Sequence, residues 1–217
     1  MIRLFCGFDP REAIGFHVFV QSVIENTKSK ISIIPLYGEQ EDGTNAFTYA
    51  RFRIPEICGW SGFAIFADAS DMLAVGDVGA LWDMRDQRKA VQVVKHDYQT
   101  RHPRKYVGTE LEAENKDYPR KNWSSLILWN CGHKAHFDHR DLLRGHDGSI
   151  LHRFSWLDDE QIGEIPKDWN WLADEYGPNE QAKILHWTCG IPGFYQYKDA
   201  AHSQEWRASA RKVTRGM

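Results

Sequence analysis

Short apolar runs alternate with stretches of helical spacing through the first hundred residues. Ile2 to Cys6 is a strand-length run that stops at Gly7. Between Arg11 and Thr27, Ile14, Val18, Gln21/Ser22 and Glu25 fall at helical spacing with Phe16, Phe19, Val20 and Val23 apolar, which predicts strand, turn and helix in that order. Lys30 to Leu36 (KISIIPL) is a second β-branched run, closed by a polar, glycine-bearing loop over 38–45. A short helix interrupted at Pro55 is predicted over 49–57. Phe63 to Ala67 (FAIFA) reads as a buried strand that stops abruptly at Asp68. Asp77 can cap a helix running to Trp82, and Ala90 to Val94 (AVQVV) reads as another strand. The stretch 96–121 has no periodicity, mixed charge and two prolines, so a long loop of functional or mobile character is expected. Beyond it the pattern predicts a strand over 126–129 (LILW), helices over 137–143 and 156–162, and a last short strand over 184–187.

Strands alternating with helices argue for an α/β fold: a mostly parallel central sheet flanked by helices, in a single domain spanning 1–217. Ligands of such sheets bind outside the carboxyl ends of the strands. Chemistry is therefore expected in the loops that begin Gly7-Phe8-Asp9, Asp68-Ala69-Ser70-Asp71 and Asn130-Cys131-Gly132.

Composition narrows the function class. With 27 basic and 30 acidic residues the formal charge is -3, so the clustered basic excess of a nucleic-acid binder is missing. A chain of 217 residues, 42% hydrophobic, can bury a core without staples. Cys6, Cys58, Cys131 and Cys189 lie far apart with no CxxC pair, which suits a reducing cytoplasm. The amino terminus meets charge at Arg3 and Asp9, and no 18-residue apolar run exists, so neither secretion nor membrane spanning is expected. Six of nine tryptophans (Trp123, Trp129, Trp156, Trp169, Trp171, Trp187) fall between 123 and 187. Trp suits both a core with polar handles and a surface that stacks on sugar rings; Trp123 and Trp187 are the two expected near ligand.

Three features carry candidate chemistry. In FADASDML, Asp68 and Asp71 flank a tight polar turn after a buried strand, where hard oxygen ligands can hold Mg or Mn. Capping of the turn by Asp68 or Ser70 is the alternative. His133, His136 and His139 recur every third residue, and at most two of them can converge on a helix. The basic tail, 202–217, carries Trp206, Arg207, Arg211, Lys212 and Arg215 and is either a solvated segment or a peripheral contact for anionic lipid.

FAIFADASDMLAVGDVGALW at 63–82 resembles the strand, DxD motif, Gly-Asp turn and following helix of GT-A-fold glycosyltransferases, particularly the retaining family 8 group that includes glycogenin and bacterial galactosyltransferases. Counting back from Gly76-Asp77 puts Asp71 on the family's second Asp and Ala69 on its first, so Asp68 stands one residue early. CGFDPREAIGFHVFVQS, TYARFRIPEI, NWSSLILWNC, WLDDEQIG and AKILHWTCGIPGF are similar to other family segments and occur in the family's order. The resemblance implies a GT-A, Rossmann-like fold and transfer of a hexose from a nucleotide diphosphate sugar, with UDP the expected nucleotide, to a carbohydrate or other hydroxyl acceptor. It also implies retained stereochemistry. Donor binding would occupy about 1–130, and the acceptor side with the metal-completing His about 131–195.

Residue by residue, the resemblance places Gly7, Phe8 and Asp9 around the nucleotide, and Arg51, Asp68 and Gly190 near the diphosphate or ribose. Asn122, Ser124 and Ser125 fall at the donor sugar. Asp159 and Glu160 match the acidic motif that faces the anomeric carbon, and Asp71, His186 and Asp68 become ligands of Mn2+ or Mg2+. Ile191 stands where the family often has a phosphate-gripping Lys, so diphosphate binding is expected to rest on Arg51, the cation and backbone N–H groups around Gly190. A non-catalytic nucleotide-sugar or glycan-binding module and a divalent-metal hydrolase are the rival readings.

Overall fold

The computed structural model describes residues 1–38 and 45–215, so the loop expected over 38–45 lies almost wholly outside the described residues. The strands in chain order are β1 (Ile2–Gly7), β2 (Ile31–Leu36), β3 (Phe63–Ala67), β4 (Met72–Ala74), β5 (Val91–Val93), β6 (Arg104–Lys105), β7 (Ala113–Glu114), β8 (Leu126–Asn130), β9 (Ile162–Glu164), β10 (Trp171–Leu172) and β11 (Ile184–His186). The central six-stranded sheet has the order β2-β1-β3-β8-β5-β9; β10-β11-β4 form a second sheet and β6-β7 a hairpin.

The apolar runs explain the central sheet. In β3, Ala64 and Phe66 face one core while Ile65 and Ala67 face another, and all four are buried. A strand covered on both sides reads as a continuous apolar run rather than an alternating one. Helix α1 (Ala13–Asn26) packs Phe16, Phe19 and Val23 onto the face with Ile65. Pro35 would interrupt a central ladder, and β2 accordingly lies at the sheet edge.

One strand departs from the expected parallel pattern and thereby moves the site. β8 runs antiparallel to both β3 and β5, whereas β1–β2, β1–β3 and β5–β9 are parallel. Leu126 pairs with Ala67, so the residues before β8 sit beside Asp68, whose N–H donates to Ser125 O. The loop after β8, Asn130-Cys131-Gly132, is carried to the opposite edge, where Asn130 pairs with Phe63. It does not line the cavity beside Asp68.

Local predictions fail where elements are short. The helix expected over 137–143 is two turns of helix, Lys134–Asp138 and Arg140–Leu143, separated at His139. No helix forms over 156–162. Asp158 instead makes a reciprocal cap with Gln161 on the 3-10 turn Asp159–Gln161, and the chain then extends into β9. There Gly163 is required, because a Cβ would meet Gln92 Cγ at 2.7 Å. The basic tail folds as helix Ser203–Val213, which buries Trp206 and Ser209 and pairs Lys212 with Glu25 of α1. None of the described helices is long and apolar enough to cross a membrane.

The turn at 69–71 depends on a close approach to α1. Ala69 has φ +63, and a Cβ on Gly15 would lie 1.8 Å from Ser70 O. Gly15→Ala must therefore push the turn off the helix. We expect a loss of about 1–3 kcal/mol in urea unfolding, and an unchanged midpoint would show that the contact is not required.

Candidate active site

β3 ends at Ala67, just before Asp68, the turn reverses at Ala69, and β4 begins at Met72; pairing of β4 with β11 then sets His186 directly across from Met72. The Trp187 N–H donates to Asp71 O and locks that register. As a result single donor atoms of Asp68, Asp71 and His186 lie within 4.8 Å of one another. His186 Nε2 is 3.3 Å from Asp71 Oδ2, and the Tyr106 hydroxyl donates to the same oxygen at 3.2 Å. Asp71 Oδ1 is buried with no hydrogen-bond partner.

The orientation of His186 is held from behind. Its Nδ1 donates to Asn170 Oδ1 at 2.9 Å, the Asn170 amide donates to Ser125 Oγ at 2.8 Å, and that hydroxyl donates to Asn122 O at 2.7 Å. An amide oxygen only accepts, so the proton sits on Nδ1 and Nε2 is turned to the carboxylates.

Charge is concentrated here. Burial alone would raise Asp71 and lower His186, but their mutual attraction, with Tyr106 and Lys105 acting on Asp71 and with Asp68 and Asp174 acting on His186, holds the carboxyl below and the imidazole above its ordinary value. Burial, reinforced by the Asp71 charge and opposed by Arg51, pushes Asp68 up to about 6. Arg51 is buried, donates to Asp68, Thr48 O and Ser124 O, and lies over the rings of Phe47 and Phe66. Glu12 is buried without a hydrogen-bond partner for either oxygen, and burial together with the Asp71 charge pushes it up to about 8.

A cavity of about 530 Å³ opens over this cluster. Of the residues expected at the site, Arg51, Asp68, Asp71, Asn122, Ser124, Ser125 and His186 line it. Gly7, Phe8, Asp9 and Gly190 are not among its lining residues. Gly7 leaves room for Phe47, whose ring would be 2.5 Å from a Cβ; Phe8 packs edge-on against Phe16; and a Cβ on Gly190 would strike Tyr197. Asp9 accepts both the Arg11 guanidinium and Ala46 N, and it is Arg11 that reaches the cavity.

Asp159 and Glu160 are also outside the lining. Both are exposed on the capped turn before β9, with Asp159 paired to Arg120. Trp187 is fully buried with its indole N–H on Ala201 O, and Trp123 donates to His96 O; neither lines the cavity. His133, His136 and His139 each bond backbone atoms around their own helix or Ala90. Sequence reasoning missed Glu12, Lys105, Tyr106 and Asn170. Glu12 stood in plain view three residues after Asp9, whereas the other three are brought in by loops with no local signal.

No family model matches the chain. Protein CDI of Arabidopsis thaliana is 35% identical over 222 residues, covering 94% of this chain and 84% of that protein. The chain belongs to the Protein CDI family. Among solved structures, galactosyltransferase LgtC, crystallised with donor and acceptor sugar analogues, has a TM-score of 0.66 at 14% identity over 98% of this chain and 96% of its own. The bifunctional glycosyltransferase WbbM has a TM-score of 0.68 at 14% identity; 96% of this chain is covered, and it spans about half, 49%, of WbbM. Mouse xyloside xylosyltransferase 1 has a TM-score of 0.52 at 13% identity over 87% of this chain and 98% of its own. The family member described here therefore has the GT-A glycosyltransferase fold, with a mixed central sheet, as its sequence segments imply.

Glu12 gives the site a pH signature. Its carboxyl keeps a proton up to about 8 in the folded protein, whereas an unfolded Glu loses it near 4.5. Stability tied to this group is thus full below pH 4.5 and falls as pH rises toward 8. In urea unfolding with a chelator present, Glu12→Gln is expected to gain on the parent protein steadily across that window; a constant difference would reject the shift.

Proposed function

We propose that the protein is a glycosyltransferase that moves a hexose from a nucleoside diphosphate sugar, with UDP as the expected nucleotide, to a carbohydrate or other hydroxyl acceptor, assisted by Mn2+ or Mg2+. The observation that carries this reading is the orphaned Asp71 Oδ1. A buried carboxylate oxygen without a partner is costly, and here it lies in a cluster with Asp68 and His186, the hard oxygen and imidazole donors that suit such cations. The donor set fits.

When bound, the cation would supply Lewis-acid stabilisation of the charge that develops on the departing diphosphate. The chain supplies the rest. Asn170 keeps Nε2 of His186 facing the carboxylates, Arg51 holds Asp68 in place, and Tyr106 orients Asp71. Asn122, Ser124 and His152 form a polar wall suited to sugar hydroxyls. Retention of configuration is the outcome we assign, in keeping with the family 8 resemblance.

One observation favours a binding module without turnover. Asp159 and Glu160, matched to the motif that faces the anomeric carbon, lie exposed outside the cavity. Slow hydrolysis of a UDP-sugar by the purified protein, accelerated by acceptor, supports transfer; tight binding with no turnover over a broad acceptor panel supports the module.

Isothermal titration of UDP with and without Mn2+ tests the reading directly. Binding is expected to require the cation and to disappear in Asp71→Asn. Binding that ignores both would reject it. Asn170→Ala, which leaves the ligands intact and frees the imidazole, is expected to weaken cation affinity about tenfold to a hundredfold.

A further inference from the structure

Most of the groups expected to receive a diphosphate are already engaged within the protein. Arg51 gives its N–H groups to Asp68 and two carbonyls, Arg11 is held by both oxygens of Asp9, and the Gly190 N–H donates to Trp187 O. Ile191 is fully buried in the core formed with Leu185, Trp187 and Trp206. Nothing on the loop after β11 thus offers a cation to the cavity.

Lys105 is in a different position. It lines the cavity, it is only partly buried, and its ammonium makes no hydrogen bond or ion pair among the described residues. Of the hairpin carboxylates that line the same cavity, Glu112 pairs with Arg104 and Glu114 with Lys116, and Glu110 makes no ion pair with Lys105. Its backbone is fixed on both sides. Lys105 pairs with Ala113 across the β6-β7 hairpin, and the next residue, Tyr106, takes φ +54 to give its N–H to Cys189 O and its hydroxyl to Asp71. One residue further on, Val107 N donates to the Tyr197 hydroxyl at 2.8 Å. The hairpin is thereby strapped from the 69–71 turn to the carboxyl-terminal loop, and it carries an unpaired ammonium beside the Asp71 cluster.

Resting on the nucleotide-sugar reading above, we propose that Lys105 is the residue that grips the donor diphosphate, so that the hairpin supplies the cation that the Ile191 position does not. A compact ammonium suits phosphate oxygens, and the cavity that Lys105 lines is the one that opens over Asp68, Asp71 and His186. Because Tyr106 orients Asp71 from the same hairpin, the strap couples the phosphate contact to the geometry of the carboxylate cluster.

Isothermal titration with UDP and with uridine, both in the presence of Mn2+, tests this on the intact protein. In Lys105→Gln, UDP affinity is expected to fall about tenfold to a hundredfold, the range for losing one charge-assisted contact, with uridine affinity and the thermal midpoint unchanged. Lys105→Arg keeps most of the affinity. Lys134→Gln, at an exposed lysine paired with Asp138, behaves as the parent protein. If Lys105→Gln binds UDP like the parent, or loses uridine and UDP alike, the role of Lys105 is overturned while the nucleotide-sugar reading stands. If the parent itself binds no UDP with Mn2+, both fall.

Discussion

The antiparallel pairing of β4 with β11 is the constraint on which the candidate site depends. It brings a residue next to the 69–71 turn opposite one from the carboxyl-terminal third, and so puts His186 against Asp71. Neither strand is long enough to persist alone. They are held by a core of their own, in which Leu73, Leu185, Trp187, Ile191 and Trp206 pack with Val18 of α1. The carboxyl-terminal helix closes that core, with Ser209 bonded to Val18 O. Trp187 and the basic tail, which invite a ligand or lipid interpretation, thus hold β11 in register.

Around this pairing the protein gathers more negative charge than it can neutralise by itself. Glu12, Asp68 and Asp71 influence one another's ionisation, yet Arg51 is the one guanidinium bonded to any of them among the described residues. Arg51 is also enclosed by two aromatic faces and two carbonyls, so its charge is fully committed. Removing one partner of such a pair would leave a buried charge uncompensated, at a cost of about 3–5 kcal/mol. A proton retained on Glu12 and the orphaned Asp71 Oδ1 are two consequences of the same excess. On the glycosyltransferase reading, a bound cation would relieve this excess before the anionic diphosphate arrives.

Legibility from sequence followed how each element is stabilised. β3 and the Leu126–Trp129 stretch of β8 announce themselves because strands buried on both faces read as continuous apolar runs. β4, β9 and β10 are two or three residues long and have no period of their own; they exist only through their partners. Over 156–162 the pattern predicts a helix, but Asp158 and Gln161 cap a single 3-10 turn and the chain then extends into β9. Gly7, Asp9 and Gly190, expected around the donor nucleotide and diphosphate, do not line the cavity. Their roles are internal: room for Phe47, a clamp on Arg11, and room for Tyr197.

By itself the sequence determined the α/β class and the order of the GT-A-like segments, and it singled out Asp68, Asp71 and His186, which the fold brings together, because hydrophobic runs and motif spacing are properties of the chain read locally. The tertiary structure alone decided that β8 runs backwards and delivers Asn122, Ser124 and Ser125 to the cavity while carrying Asn130 away. It alone placed Asn170 behind His186, left Asp159 and Glu160 on the surface, and strapped Lys105 and Tyr106 over the acidic cluster. Strand direction and loop crossings are set by pairing between distant segments, and no local pattern encodes them.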